Sequence, residues 1–425
     1  MERQLLIRDV YAREILDSRG NPAIEAEVLA GEDVVGRASV PSGASGRQNN
    51  ASEPGEGGRG RECGIRQAVE NINSRAAEEI IGRNVFCQAE IDRALLRAAG
   101  GPGERDPENS ALLSVSIAAA RAAGKALRLP LYRYLGGVRA VNLPVPVMNI
   151  MNAGSCRDSQ PGIREFMIVP AREGRSFCGQ LRMCTEVCHS LQHVLKDRGY
   201  FAAAGEDGAL SAAVRDVREA LRMIRDAAER RGYRMGKDLW FALGASAPEG
   251  DDPDRQAYAP GVEKQSQVWT TEERIRYYEE LISEFPVCSI EDPLDREDWD
   301  GWRILTERAG NRVQLVGDAL FAADAERIKK GRSLGAANAV LVRANRISTL
   351  SGVFQVIRTA QEAGYRTVIS RSPGETEDPF IADIAAAFNA GQIKAGAPCR
   401  SEQTSKYNRL LRIGEKMEGP ETERD

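Results

Sequence analysis

From about residue 140 onward the chain repeats one unit, a short run rich in β-branched residues followed by an amphipathic helical stretch. The runs are FMIVP, LWFALGA, VCSIEDP, VQLVGDAL, AVLVRAN, RTVISRS and QIKAGAP. Between them lie stretches such as 211–231, where Val214, Val217, Leu221 and Ile224 recur at helical spacing behind a Ser211 cap. Strand and helix alternating this often predict an α/β chain with a closed parallel barrel, the open parallel sheet being the alternative that periodicity leaves standing. Glu291, Asp318, Arg343 and Lys394 each fall at the C-terminal end of a strand run, on the rim where barrel enzymes assemble their sites. One charge at a strand end is commonly a solvated edge; four from successive repeats point to a convergent site.

Residues 1–137 read differently, with strand-like IEAEVLA and VVGRASVP followed by helical SALLSVSIAAARAAGKAL, which predicts an α+β domain capping a barrel formed by 138–425. The Gly-rich segments 53–63 and 98–108 lack the spacing of a P-loop or dinucleotide site and read as loops. A formal charge of −4 without a basic segment argues against nucleic-acid and membrane-surface partners and for a small molecule. No apolar run reaches the roughly 20 residues that span a bilayer, and the start MERQLLIRDVYAREIL carries none of signal-peptide length, so a cytoplasmic location is expected. The eight cysteines are scattered without CxxC pairs, as reduced thiols are. Cys184 and Cys188, or His189 and His193, stand four apart like a metal pair, but no third ligand follows at a motif spacing, which favours helix packing.

The segments ILDSRGNPAIEAEV (15–28), VPSGAS (40–45), PVPVMNIMNAG (144–154), REFMIVP (164–170), SIEDPLDREDWDG (289–301), QLVGD (314–318), GETED (374–378) and QIKAGAPCRSE (392–402) together resemble enolase, over about residues 5–416. The resemblance implies an enolase-type (β/α)8 barrel with an N-terminal α+β domain, usually as a homodimer; Glu25 and Arg412 match the positions of a cross-subunit ion pair. In that family, 2-phosphoglycerate and phosphoenolpyruvate are interconverted. Enolase-superfamily sites use a Lys or His base with one or two Mg²⁺ ions, which offset the charge of a dianionic intermediate.

The resemblance also locates what has changed. Glu291 and Asp318 match the second and third metal ligands, whereas Gly244 stands where the first would be, and the family's double aspartate is reduced to Asp318-Ala319. The base lysine is replaced by Arg343. A guanidinium is effectively never deprotonated in a protein, so Arg343 can clamp an anion but not take up a carbon-bound proton. Asp207 stands at the general-acid glutamate position with the order of two acids reversed. On the phosphate side Arg371-Ser372-Pro373 replaces His-Arg-Ser, and a one-residue slip would restore Arg371 and Ser372 as ligands; both registers stay open. Cys156 replaces the flexible-loop histidine, Arg164 the glutamine before Glu165, and Ser45 is kept in the first loop. Glu165 and Lys394 match the family pattern, as an active-site carboxylate and the lysine facing the substrate; packing or a structural ion pair is the alternative for each, but an unpaired lysine at a barrel mouth calls for an anion, which favours function for Lys394.

Three functions are compatible with this pattern. One is a glycolytic enolase with compensated substitutions, which the combined loss of a metal ligand and the base disfavours. Another is a non-catalytic enolase-fold binding protein. The third is an enzyme redirected to a more highly anionic phosphorylated or phosphonate acid, because the mouth loses acids at Gly244 and Ala319 and gains Arg164, Arg346 and Arg371. Its precedent is an enolase-like enzyme of phosphonate antibiotic pathways, considered to form carboxyphosphonoenolpyruvate. Any Mg²⁺ retained at Glu291 and Asp318 is then expected to bind weakly and at a single site.

Overall fold

The computed structural model describes residues 4–42, 59–99, 106–153, 162–214, 216–245 and 269–418, so Ser45 and Cys156 lie outside the described residues. The N-terminal part is an antiparallel meander of β1 (Ile7–Leu16), β2 (Pro22–Ala30) and β3 (Val34–Val40). On β2, Ile24, Ala26, Val28 and Ala30 are buried while Glu25 and Glu27 alternate with them on the wetter face. The helix Asp106–Ala126 lies on the apolar face of this sheet, so closely that a Cβ at Gly36 would fall 1.9 Å from the Ala118 carbonyl oxygen.

The second part is a curled sheet of β4 (Val145–Pro146), β5 (Met148–Ala153), β6 (Ile163–Pro170), β7 (Ala203–Ala204), β8 (Leu210–Ala212), β9 (Leu239–Ala245), β10 (Val287–Glu291), β11 (Gln314–Gly317), β12 (Ala339–Val342), β13 (Arg366–Ser370) and β14 (Gln392–Lys394). They pair in the order β4-β14-β13-β12-β11-β10-β9-β6-β5-β8-β7. From β9 through β14 to β4 all pairings are parallel. The expectation of an all-parallel barrel fails at β6, which runs antiparallel to both β5 and β9. The chain between Ala153 and Ile163 is shorter than the dozen or so residues a parallel crossover needs, so β5 and β6 fold back on each other.

Both faces of the strands are buried. Leu315, Val340, Val342 and Ile369 join the large apolar cluster beneath the helices, while the alternate residues Val316, Ala339, Leu341 and Val368 form a separate cluster on the other face. At the N-terminal ends of the strands Gln314 Nε2 donates to Ser289 Oγ (3.2 Å) and to Gln392 Oε1 (2.6 Å). The period of two then fixes the opposite end: stepping from Ser289, Gln314, Ala339 and Gln392 by twos arrives at Glu291, Asp318, Arg343 and Lys394, all on the same inner face.

One buried ion pair joins the two parts, and a second braces the turn it grips. Arg121 clasps Asp378 through two contacts of 2.6 Å, and Asp378 Oδ2 also accepts the Ser39 amide at 2.9 Å. Lys406 meets Glu375 at 2.9 Å with both side chains excluded from water. These contacts fix the 374–378 turn, against which the N-terminal turn is tied by the Ser18 amide on the Glu375 carbonyl at 2.9 Å.

The helix anticipated across 211–231 is shorter. It runs Val217–Glu229 and is capped by Asp216, whose carboxylate accepts the Glu219 amide at 2.8 Å, while Ser211 lies in β8. Val217, Leu221 and Ile224 form its buried face as the spacing requires. Asp216→Ala is expected to cost about 1 kcal/mol in denaturant melts and Ser211→Ala less than about 0.5 kcal/mol. The reverse order would mean that the cap is misassigned. Among the described residues no helix is long and apolar enough to cross a membrane.

Candidate active site at the barrel mouth

The ladder places Gly244 between two acids, since it is the register partner of Glu165 on one side and of Glu291 on the other. With no side chain at 244, Glu165 leans into the gap: a Cβ there would fall 2.5 Å from Glu165 Oε2. Lys394, arriving from the far side of the curled sheet, bridges the two carboxylates, its Nζ 2.6 Å from Glu165 Oε2 and 2.7 Å from Glu291 Oε2. Lys394 is 4% exposed. Of the two roles open to Lys394 in the sequence, the fold forms the structural ion pair: Lys394 carries two carboxylate partners, and Gly244 leaves room for Glu165.

The row continues with alternating sign. Arg343 reaches from β12 to Asp318 Oδ2 through Nε and Nη2, each at 2.8 Å, and its Nη2 lies 3.8 Å from Glu291 Oε1. Its Nη1 donates to the Arg371 carbonyl at 2.7 Å. Arg346 takes the other oxygen of Asp318 at 2.9 Å. Asp207 sits apart with Arg371, 3.4 Å away, and accepts from Asn149 Nδ2 (2.6 Å), Asn152 Nδ2 (2.8 Å) and the Ala209 amide (3.1 Å). Glu206, the other acid of that turn, points instead to Arg19 of the N-terminal part. Ser372 is buried, with its amide on Glu375 Oε1 at 2.9 Å and its hydroxyl on Asn345 Oδ1.

Four cations thus face Glu165, Glu291, Asp318 and Asp207, and each cation has a carboxylate partner. The positive bias read along the sequence is thus met within the chain by acids opposite the arginines. Counting substitutions along the sequence registered the arginines gained but not the acids already opposite them. Arg164 does not share the contacts of this cluster: it is exposed, and it is the extra residue where the register of β6 against β9 shifts between Ile163 and Glu165. His189 and His193 are exposed on the helix Phe177–Asp197, and Cys184 and Cys188 are buried in its apolar face, where burial pushes the Cys188 thiol up to about 12.

Charge states follow from these contacts. Burial disfavours the ammonium of Lys394, but Glu165 and Glu291 outweigh it and raise its pKa. Arg343 behaves likewise between Asp318 and Glu291. Burial alone would raise Glu165 and Asp318; Lys394 holds the first below the usual carboxylate range, and Arg343 with Arg346 the second. Glu291 is raised by burial, which its shared cations do not fully offset. Lys394 and Arg343 are thus both kept cationic, and neither can serve as a base for a carbon-bound proton.

The sequence reading missed Asp292, Asn149, Asn152 and Asn345. Asp292 adopts a left-handed backbone (φ 43°) at the end of β10, and its carboxylate accepts the amides of Asp318 (3.0 Å) and Ala319 (2.9 Å), pinning the turn that presents Asp318. Burial, then the nearby Asp318 and Glu291, push it up to about 7. Its one signal was its place between Glu291 and Pro293, where a strand must turn.

The enolase-type donor set for a divalent ion is not assembled in this arrangement. Both oxygens of Asp318 are held by arginines, Glu291 by Lys394, and the first ligand is Gly244. Among the described residues no group of three His, Cys, Asp or Glu side chains stands where it could hold a metal.

Residues 7–135 match the model of the enolase N-terminal domain, and residues 140–422 that of the enolase C-terminal TIM barrel domain. Enolases are generally dimeric, bind phosphorylated substrates and typically use Mg²⁺. With both domain models matched over nearly its whole length, the chain belongs to the enolase family.

Proposed function

We propose that this enolase-like chain is an enzyme redirected to a highly anionic phosphorylated or phosphonate carboxylic acid related to 2-phosphoglycerate or phosphoenolpyruvate. Formation of carboxyphosphonoenolpyruvate is the reaction of that class it fits best. The observation that carries the reading is Arg343, a permanent cation held 2.8 Å from Asp318 at the position where the family pattern has its base. An anion entering the mouth would first meet Arg346, whose side chain is 30% exposed, while Arg343, Arg371 beside Ser372, and Lys394 lie deeper. Arg346 places one of its donors on Asp318, and a guanidinium has five, which leaves it able to take a carboxylate or phosphate in addition.

The internal balance of the cluster favours a second reading, an enolase-fold protein that binds without catalysis. A panel of glycerate, 2-phosphoglycerate, phosphoenolpyruvate and phosphonoformate, followed by calorimetry, separates these readings in two steps. Affinity is expected to rise with the number of anionic groups, and Arg346→Gln with Arg371→Gln to weaken it by about a hundredfold or more, since each charge-assisted contact contributes roughly 1.5–3 kcal/mol. A flat profile, or a double variant that binds like the wild type, removes the redirected-enzyme reading. Chemical turnover of a nucleotide-activated phosphonoformate with a glycolytic acid then decides between enzyme and binder.

A cytoplasmic homodimer is part of this reading. Glu25, expected to reach a partner's Arg412, is engaged within its own chain by Arg13 at 2.5 Å and Ser39 Oγ at 2.9 Å, whereas Arg412 is exposed. An exposed ion pair contributes little on its own, so the dimer rests mainly on the surrounding surface, and Glu25→Gln is expected to leave the mass of a dimer unchanged in light scattering. A mass of one chain for the wild type at every concentration would rule the dimer out.

A further inference from the structure

Resting on the reading just given, we infer that the barrel mouth holds its anionic ligand without a divalent ion, the Lys394 ammonium and the Arg343 guanidinium taking that ion's place. Glu165, Glu291 and Asp318 are met by Lys394, Arg343 and Arg346, three carboxylates against three cations, so these six charges balance before any ion arrives. Lys394 Nζ sits between Glu165 and Glu291, the two acids flanking Gly244, at 2.6 and 2.7 Å. Arg343 spans the next gap, between Glu291 and Asp318, at 3.8 and 2.8 Å. Mg²⁺ demands near-octahedral oxygen ligands at about 2.1 Å and gives up its waters reluctantly. Reaching Asp318 would require it to displace two arginines at once, and it would then be flanked by three buried or half-buried cations. A ligand carboxylate or phosphate faces the opposite balance, since it adds acceptors where guanidinium donors remain.

Gly244 makes the Lys394 bridge possible. An aspartate there would need the space that Glu165 Oε2 now fills, 2.5 Å from the position of its Cβ. The glycine and the Lys394 bridge are therefore one device, and restoring a third carboxylate requires Glu165 to swing away.

The test uses the full chain with phosphoenolpyruvate and with phosphonoformate as probes, titrated calorimetrically in EDTA and again in excess Mg²⁺, together with thermal melts in Mg²⁺ alone. The same Kd in both buffers, and no rise in Tm with Mg²⁺ alone, are expected. Probe binding in Mg²⁺ that disappears in EDTA, or a Tm raised by Mg²⁺ alone, overturns the inference while leaving the proposed anionic ligand intact. Absence of binding for either probe in both buffers overturns both. The double substitution Gly244→Asp with Arg343→Lys, checked for folding by its melt, is expected to make probe binding respond to Mg²⁺ by about tenfold or more, the gain of one added ligand contact. Binding that stays indifferent to Mg²⁺ in a folded double variant counts against Gly244 and Arg343 as the cause.

Discussion

Purified protein, freed of host enolase, is expected to form phosphoenolpyruvate from 2-phosphoglycerate more slowly than an intact enolase by about 10⁴-fold or more. The family reaction removes a proton from carbon beside a carboxylate, and the group at the base position is Arg343. Asp318 and Glu291 raise its pKa further, so the neutral form that could accept a proton is out of reach. The remaining lysine of the mouth, Lys394, is locked as an ammonium between Glu165 and Glu291. Loss of acid–base assistance alone costs about 10²–10⁴ in rate, and the changed charge at the metal ligands adds to it. Coupling the product to pyruvate kinase measures the rate. Arg343→Lys by itself should not restore it, because Gly244 still lacks the carboxylate and Glu165 still occupies the gap. Turnover at ordinary rates would show that Arg343 is not where the proton is taken.

Lys394→Met is expected to lower stability by about 3–5 kcal/mol, the cost of leaving buried charges without a partner. Its ammonium contacts two carboxylates at 2.6 and 2.7 Å, and the side chains of Glu165 and Glu291 are 27% and 12% exposed. The larger part of the loss should arise at the more buried Glu291. Adding Glu291→Gln to Lys394→Met should therefore recover part of it, giving a coupling of about 1–3 kcal/mol in a double-mutant cycle read from denaturant midpoints. A single variant within about 0.5 kcal/mol of the wild type would place the ammonium in water rather than between the acids.

Arg343 itself was legible in the sequence because its consequence is chemical rather than geometric: a guanidinium in place of a lysine removes a base wherever its partners lie. Asp216 was legible only in part. The apolar positions Val217, Leu221 and Ile224 gave the helix and its buried face, but Ser211 and Asp216 are both good caps, and the choice fell to the residue whose backbone is extended where the helix begins. Asn149 and Asn152 read as family landmarks without a role until Asp207, more than fifty residues later, was brought against their amides.

Residue order alone placed Glu291, Asp318, Arg343 and Lys394 at the C-terminal ends of their strands, whereas their sharing of one inner face follows from period-two alternation applied to the strand register of the fold. Only the tertiary structure decided which charge meets which. β6 turns antiparallel and sets Glu165 beside Gly244, and the curl of the sheet carries Lys394 across to both Glu165 and Glu291. Coulomb interaction falls with distance, and burial weakens its screening, so a few ångströms decide whether an arginine is a free cation or half of a pair. Distances of that kind are set by packing between segments far apart in the chain, which is why the mouth that counted as positive along the sequence closes as a balanced row of acids and bases.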